Sequence, residues 1–167
     1  MMNEALTVVG KTTHVDLVGH ASDVPAKVDT GADSSSVWAT NIQIDEQGTL
    51  HFTLFGEGSP YYTGEAISTD DFSAAEVRSS TGHTQIRYRV AMSVRIEGKR
   101  IRAVFNLSDR SRNEYKILIG RRTLTGKFLV DVSKGERPQK VFNEESINAE
   151  LKKNPRAFFE KYHTNDK

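Results

Sequence analysis

A chain of 167 residues, 37% hydrophobic and 27% charged, is long enough to bury a real core and fits one domain. A net charge of +1 gives no reason to expect nucleic acid or an anionic membrane as the main partner. With no cysteine, disulfides, thiolate zinc sites and a cysteine nucleophile are excluded.

Residues 5–18 carry Leu6, Val8, Val9, Val15, Leu17 and Val18, interrupted by Gly10-Lys11-Thr12-Thr13, which predicts two short strands joined by a turn. Residues 20–23 read as a second turn, and Pro25 suits the beginning of the next strand, where its missing N–H is tolerated. Val37-Trp38-Ala39 with Ile42 and Ile44 predicts a further strand. After a turn at residues 45–48, residues 49–55 alternate, with Leu50, Phe52 and Leu54 against His51, Thr53 and Phe55. Residues 56–60 form a loop, and residues 61–75 give no clear signal. Residues 76–89 read as a hairpin with its tip at Ser79-Ser80-Thr81-Gly82. Tyr88, Val90, Met92, Val94 and Ile96 share one face of a period-two strand, Glu97-Gly98-Lys99 turns the chain, and residues 101–107 return it. Residues 115–119 are nearly all apolar and make a candidate central strand. Gly120 leads into a short helix, and residues 128–132 form a last strand. Beyond about Gly135 the composition changes, and residues 143–153 and 155–162 predict two short helices split by Asn154-Pro155, with Phe158, Phe159 and Tyr162 as docking side chains. The expected architecture is a mainly β domain, a closed barrel over residues 1–134, with a C-terminal helical extension over residues 135–167. No apolar run reaches membrane-spanning length, and the first nine residues lack a basic region followed by an apolar core. The expected compartment is the cytoplasm, or the periplasm if a leader has been removed.

One stretch stands apart: residues 24–39, V-P-A-K-V-D-T-G-A-D-S-S-S-V-W-A. Its strand-forming residues deliver Asp29 into a glycine-containing turn between apolar flanks. A carboxylate so flanked is costly unless paired or chemically used. Asp29-Thr30-Gly31-Ala32-Asp33 resembles the active-site turn of retropepsins, the single-domain aspartic peptidases. Ile117-Leu118-Ile119-Gly120-Arg121-Arg122-Thr123-Leu124 resembles the apolar–Gly–Arg segment these enzymes carry near their C-terminus. The similarity spans about residues 5–132 in order and spacing. Within it the strings A-K-V-D-T-G-A-D-S-S-S, E-V-R-S-S-T-G and L-S-D-R-S-R…I-L-I-G-R-R-T-L look like a bacterial family named for ATP-dependent zinc proteases, often associated with ATP-grasp glutamate ligases and now regarded as retropepsin-like. The residues do not match that name. There is no phosphate-binding G-x-x-x-x-G-K-[ST] loop and no H-E-x-x-H, and histidines 14, 20, 51, 83 and 163 form no i, i+4 pair. No cofactor is expected.

The resemblance implies roles for individual residues. Asp29 would be the catalytic acid/base, Thr30 would bond across to a partner turn, and Gly31 would permit close approach and offer its carbonyl to substrate. Ala32, Asp33 and Arg121 would line the substrate, with an Asp33–Arg121 ion pair. Residues 76–90 would form the flap, bringing Ser80 and Gly82 over bound peptide. Aspartic peptidases need two carboxylates sharing one proton around one water. Only one D-T-G occurs here, so the resemblance implies a homodimer with Asp29 from each chain on a two-fold axis. The arginines at 78, 87, 89, 110, 112, 121 and 122 either bind an acidic peptide, for which polyglutamate is a fitting example, or belong to solvated faces paired with the 22 acids. Two other readings stay open: a retropepsin-like module that binds peptide or protein without cleaving it, and a metal-dependent hydrolase with Asp29 or Asp33 and a histidine as ligands. Trp38 is expected in the core.

Overall fold

A computed structural model describes residues 5–78, 81–136 and 143–163. The chain divides into two compact units, 1–136 and 137–167. Among the described residues the first holds eleven strands and one short helix: β1 (Thr7–Gly10), β2 (Thr12–Leu17), β3 (Ala21–Val28), β4 (Ser35–Ile44), β5 (Leu50–Leu54), β6 (Ala66–Thr69), β7 (Ser73–Arg78), β8 (Thr84–Ile96), β9 (Lys99–Ser108), β10 (Ile117–Ile119), α1 (Arg121–Leu124) and β11 (Phe128–Asp131). The second holds α2 (Glu144–Lys153) and α3 (Pro155–His163). Asn143 caps α2 by accepting the Ser146 N–H at 3.2 Å, and Lys161 pairs with Glu150 at 2.7 Å, joining the two helices. Among the described residues no helix is long and apolar enough to cross a membrane.

The strands close on themselves. Pairing runs β10–β3–β2–β8–β9–β4 and returns to β10, a six-stranded barrel of the retropepsin type expected from the sequence. Closure removes the free edges that an open sheet would expose. β5 and β6 extend the sheet from β4, β7 pairs with the first half of β8, and β1 and β11 form a separate parallel pair.

Inward-facing residues along each strand form the core. On β8, Val90, Met92, Val94 and Ile96 are buried, and the register sets Val90 against Phe105 and Met92 against Ala103 of β9. Phe52, Phe55 and Phe105 are fully buried, and each such side chain contributes about 1.5–3 kcal/mol of transfer free energy. β10 lies between parallel β3 and antiparallel β4, which makes it the central strand its apolar run predicts.

Three details differ from the sequence expectation. β3 begins at Ala21, so Pro25 is inside the strand rather than at its start; it faces His14 of β2, while the β10 pairing begins only at Ala26, so no ladder on that side needs its N–H. Phe55, placed by alternation on the outer face of β5, is fully buried: its φ of +64° turns the chain after Leu54, its N–H binds the Trp38 carbonyl at 2.8 Å, and its ring meets Tyr61. The unassigned stretch 61–75 contains β6, recruited by pairing with β5 rather than by its own pattern.

The β4–β5 turn is held by Asp45. Its Oδ1 accepts the N–H groups of Gln47 and Thr49 at 3.0 Å each, and its Oδ2 lies 2.7 Å from His51 Nε2. His51 Nδ1 lies 2.7 Å from Ser68 Oγ on β6. The His51 hydrogen bond, followed by that of Thr49, holds the Asp45 carboxyl below its ordinary value of 3.8. The stability this gives is present above that ordinary value and is lost as pH falls through the lowered one. The Asp45 carboxyl carbon is therefore expected to titrate with a midpoint below 3.8 by NMR, and His51→Ala is expected to move the midpoint upward; a wild-type midpoint at or above 3.8 would refute the assignment.

Candidate active site

Strand β3 carries Asp29 out of the barrel at a fixed position. The Val28 N–H binds the Lys11 carbonyl at 2.9 Å, and the Asp29 N–H binds the Ile119 carbonyl of β10 at 2.8 Å. The chain then turns tightly: Gly31 N–H donates to Asp29 Oδ1 at 2.9 Å, and Ala32 N–H donates to the Asp29 carbonyl at 3.2 Å. A Cβ at Gly31 would come within 3.2 Å of that same carboxylate oxygen, so glycine keeps the turn close to the acid. Asp29 is half-buried, whereas Thr30, Gly31 and Asp33 are exposed and Ala32 is half-buried.

The apolar–Gly–Arg segment locks this turn from behind. A Cβ on Gly120 would fall 2.4 Å from the Ser34 carbonyl oxygen, a contact only glycine avoids. Gly120 N–H donates to Ser35 Oγ at 3.0 Å, and Ser35 Oγ lies 2.6 Å from Thr123 Oγ1 in a buried hydroxyl pair. The first N–H groups of α1 have no partner inside the helix. Here they bind the turn itself: Arg121 N–H to the Ala32 carbonyl at 2.8 Å and Arg122 N–H to the Asp33 carbonyl at 3.1 Å.

Asp33 and the arginines come together as expected, with a different leading partner. Arg121 Nη2 is 3.9 Å from Asp33, whereas Arg122 Nε is 3.0 Å from it. Arg121 instead donates through Nη1 to the Thr30 carbonyl at 3.1 Å, which draws its guanidinium along the turn. All three side chains are more than half exposed, so these pairs are worth about 0–1 kcal/mol each and position more than they stabilise.

β7 and β8 form the predicted hairpin, in register from Ser73–Arg89 to Arg78–Thr84. Ser79 and Ser80 lie outside the described residues; Gly82 is exposed with φ +84°, a backbone state suited to glycine at a hairpin tip. At the hairpin's base Arg89 donates to Asn106 Oδ1 at 2.9 Å and to Ser34 Oγ at 3.0 Å, tying the hairpin to the residue after Asp33. Arg110 donates through Nε to the Tyr115 carbonyl at 3.0 Å. Burial, and secondarily the Arg87 guanidinium, lower its proton affinity, while the Asp29 carboxylate opposes them, so Arg110 sits within electrostatic reach of the acid.

Sequence reading singled out Arg89, Arg110 and Arg122 only as members of a basic cluster, and it missed Ser34, Ser35 and Thr123. The serine run beside the acid turn was the available signal for those hydroxyls. Trp38 is buried, as expected, with the Lys116 ammonium 5.0 Å from its ring centre. Among the described residues no three histidine or acidic side chains cluster as metal ligands would.

Comparison with known proteins bears on this geometry. A family profile described as RimB-like, retropepsin-like aspartic endopeptidase RimB, matches residues 8–140. Two relatives, each named probable alpha-L-glutamate ligase, from Shewanella pealeana and Shewanella halifaxensis, are 28% identical over 114 residues. The match covers 66% of this chain and 25% of each relative, so the aligned part of the chain spans only about a quarter of their length. Among solved structures, the Legionella pneumophila protein Lpg0085, of unknown function, superposes with a TM-score of 0.57 at 24% identity, covering 78% of this chain and 96% of that one. That likeness concerns the fold.

The lock predicts a sharp steric test. Gly120→Ala is expected to destabilise the protein by about 3 kcal/mol, the upper end for overpacking, because backbone atoms cannot move aside cheaply. Gly126→Ala, with open space but positive φ, is expected to cost about 1 kcal/mol. Urea unfolding of the two variants measures the difference; equal midpoints would contradict the packing at Gly120.

Proposed function

The chain belongs to the RimB-like family of retropepsin-like aspartic endopeptidases, and we propose that it is itself such a peptidase, acting as a homodimer with one Asp29 from each protomer. The observation that carries this reading is the Asp29 turn: a half-buried carboxylate on a glycine turn, fixed by backbone bonds from β10 and braced by α1. One such acid per chain cannot make a dyad, so the two-fold axis of a dimer supplies the second.

In the dimer the two carboxylates share one proton. The ionised carboxylate takes a proton from the water held between them as its oxygen attacks the peptide carbonyl carbon. The protonated one donates to the carbonyl oxygen, and the tetrahedral intermediate collapses as a proton reaches the amide nitrogen and the C–N bond breaks. Asp33, with Arg121 and Arg122 beside it, would bind substrate backbone, and the β7–β8 hairpin would cover it.

The substrate class we favour is an acidic peptide. Arg110, within electrostatic reach of Asp29, supports it, since guanidinium groups pair with carboxylates bidentately. A glutamate-rich substrate also fits relatives named as glutamate ligases. For the dimer surface, the β1–β11 pair is the natural candidate: Val8 and Leu129 face each other in register and are 42% and 55% exposed, with Leu6 and Val132 exposed beside them. A two-stranded sheet is marginal alone and gains from further strands. β1 runs on to Lys11, whose carbonyl holds Val28 beside Asp29.

Two outcomes are expected. Cleavage of a denatured or glutamate-rich protein, measured from acidic to neutral pH, should fall at least about 100-fold in Asp29→Asn and be unaffected by chelator. Peptide binding without turnover in wild type would favour a non-cleaving module, and loss of activity with chelator a metal hydrolase. Leu129→Asp should shift the molar mass from dimer to monomer and abolish cleavage while leaving the barrel folded. A wild type that cleaves as a strict monomer would refute the shared dyad.

A further inference from the structure

A second basic site lies beside the Asp29 turn, and it shares only Arg122 with the peptidase reading. An open cavity of about 290 Å³ is lined by Arg89, Arg102, Arg122 and Lys127, and no carboxylate is among its lining residues. The hydroxyl-bearing residues Ser34, Ser73 and Thr123 contribute the polar remainder of the wall. These groups come from separate elements: the acid turn, the two strands at the base of the hairpin, β9, α1 and the loop before β11.

The charge is one-sided. Arg89 is fixed by Asn106 and Ser34, both neutral. Arg122 has Asp33 at 3.0 Å. Arg102 and Lys127 form no ion pair among the described residues. Four cations around one small cavity repel one another and leave a surplus of positive charge after Asp33 is counted. The larger cavity, about 410 Å³ near Trp38, differs: Glu57, Glu114 and Lys116 line it, and the Lys116 ammonium is already taken by the carbonyls of Arg110, Ser111 and Asn113.

We propose that the Arg89–Arg102–Arg122–Lys127 cavity is a binding site for a phosphate group, either free phosphate or the phosphate of a small ester. Guanidinium forks match phosphate oxygens bidentately and lysine serves as a point charge. Cations converging from several elements suit a tetrahedral dianion, whose oxygens point in several directions. A single carboxylate is satisfied by one guanidinium and would leave the rest unpaired. The site does not depend on peptidase activity, and it can be tested whether or not the protein cleaves anything.

The test is calorimetric titration of the full chain with inorganic phosphate, with glycerol phosphate and with glutarate, at matched ionic strength. Phosphate or the ester is expected to bind more tightly than glutarate, and the tighter of the two identifies the source. Arg102→Gln combined with Lys127→Gln should weaken binding by about tenfold or more, while Arg112→Gln with Lys116→Gln, on the loop that lines the other cavity, should leave it unchanged. Independently of any variant, phosphate should shift the backbone amide resonances of Ser73, Arg102 and Lys127 in the wild type. Absence of binding, glutarate binding as tightly as phosphate, equal weakening by both variant pairs, or amide shifts elsewhere would each overturn the proposal.

Discussion

The contact between Gly120 and the Ser34 carbonyl is the constraint on which the rest of this site depends. It joins two distant parts of the chain at a separation no other residue permits. Around it the buried Ser35–Thr123 hydroxyl pair and the Gly120–Ser35 bond complete a small polar core inside an apolar barrel. Each such bond adds only about 1 kcal/mol net, but leaving one buried partner unsatisfied costs about 1–3 kcal/mol. The lock therefore works less by strength than by penalising every alternative arrangement of the acid turn. Barrel closure at β10 and placement of Asp29 are the same event, because the Ile119 carbonyl that ends β10 also holds the Asp29 N–H.

Closure has a consequence for the strands outside the barrel. A barrel without edges leaves its unfinished business to the strands outside it, here β1 and β11. Their parallel pairing joins the two ends of the first unit, and Val8 and Leu129 remain exposed on it. Such an apolar strand pair is a liability for a monomer and an asset for an assembly. On the proposed dimer, the incomplete sheet and the single acid of each chain would make the same demand.

Much of this was legible in the sequence, for physical reasons that differ by element. The run Tyr88 to Ile96 could be read because one face is buried and the other is not, so period two is written directly into residue type. The apolar β10 could be read as central because both its neighbours are covered. Phe55 could not, since a positive φ changes which way a side chain points and residue type does not announce it. Nor could the β1–β11 pairing, a parallel contact between strands more than a hundred residues apart whose register nothing local encodes. At the site, the acid turn, the Gly–Arg segment and the Asp33–Arg121 pair were visible as motifs, yet the closer pairing of Asp33 with Arg122 was not. The Thr30 carbonyl draws Arg121 away, and that competition exists only once the turn is folded.

In the proposed dimer, the geometry of the turn would let one acid per chain suffice. Asp29 is held through its own N–H, its carbonyl and Oδ1, all by backbone groups of the same protomer. A carboxylate so fixed loses little further freedom when a second copy approaches. The entropy of positioning has largely been met during folding, and the remaining cost is the docking of two rigid bodies. With Oδ1 held from within, the carboxylate's other oxygen would be the one to meet water and the partner acid in that dimer. In the proposed dimer two-fold symmetry would require no second design: whatever brings one Asp29 to the axis would bring the other, and the asymmetry that hydrolysis needs would come from a single proton shared between them.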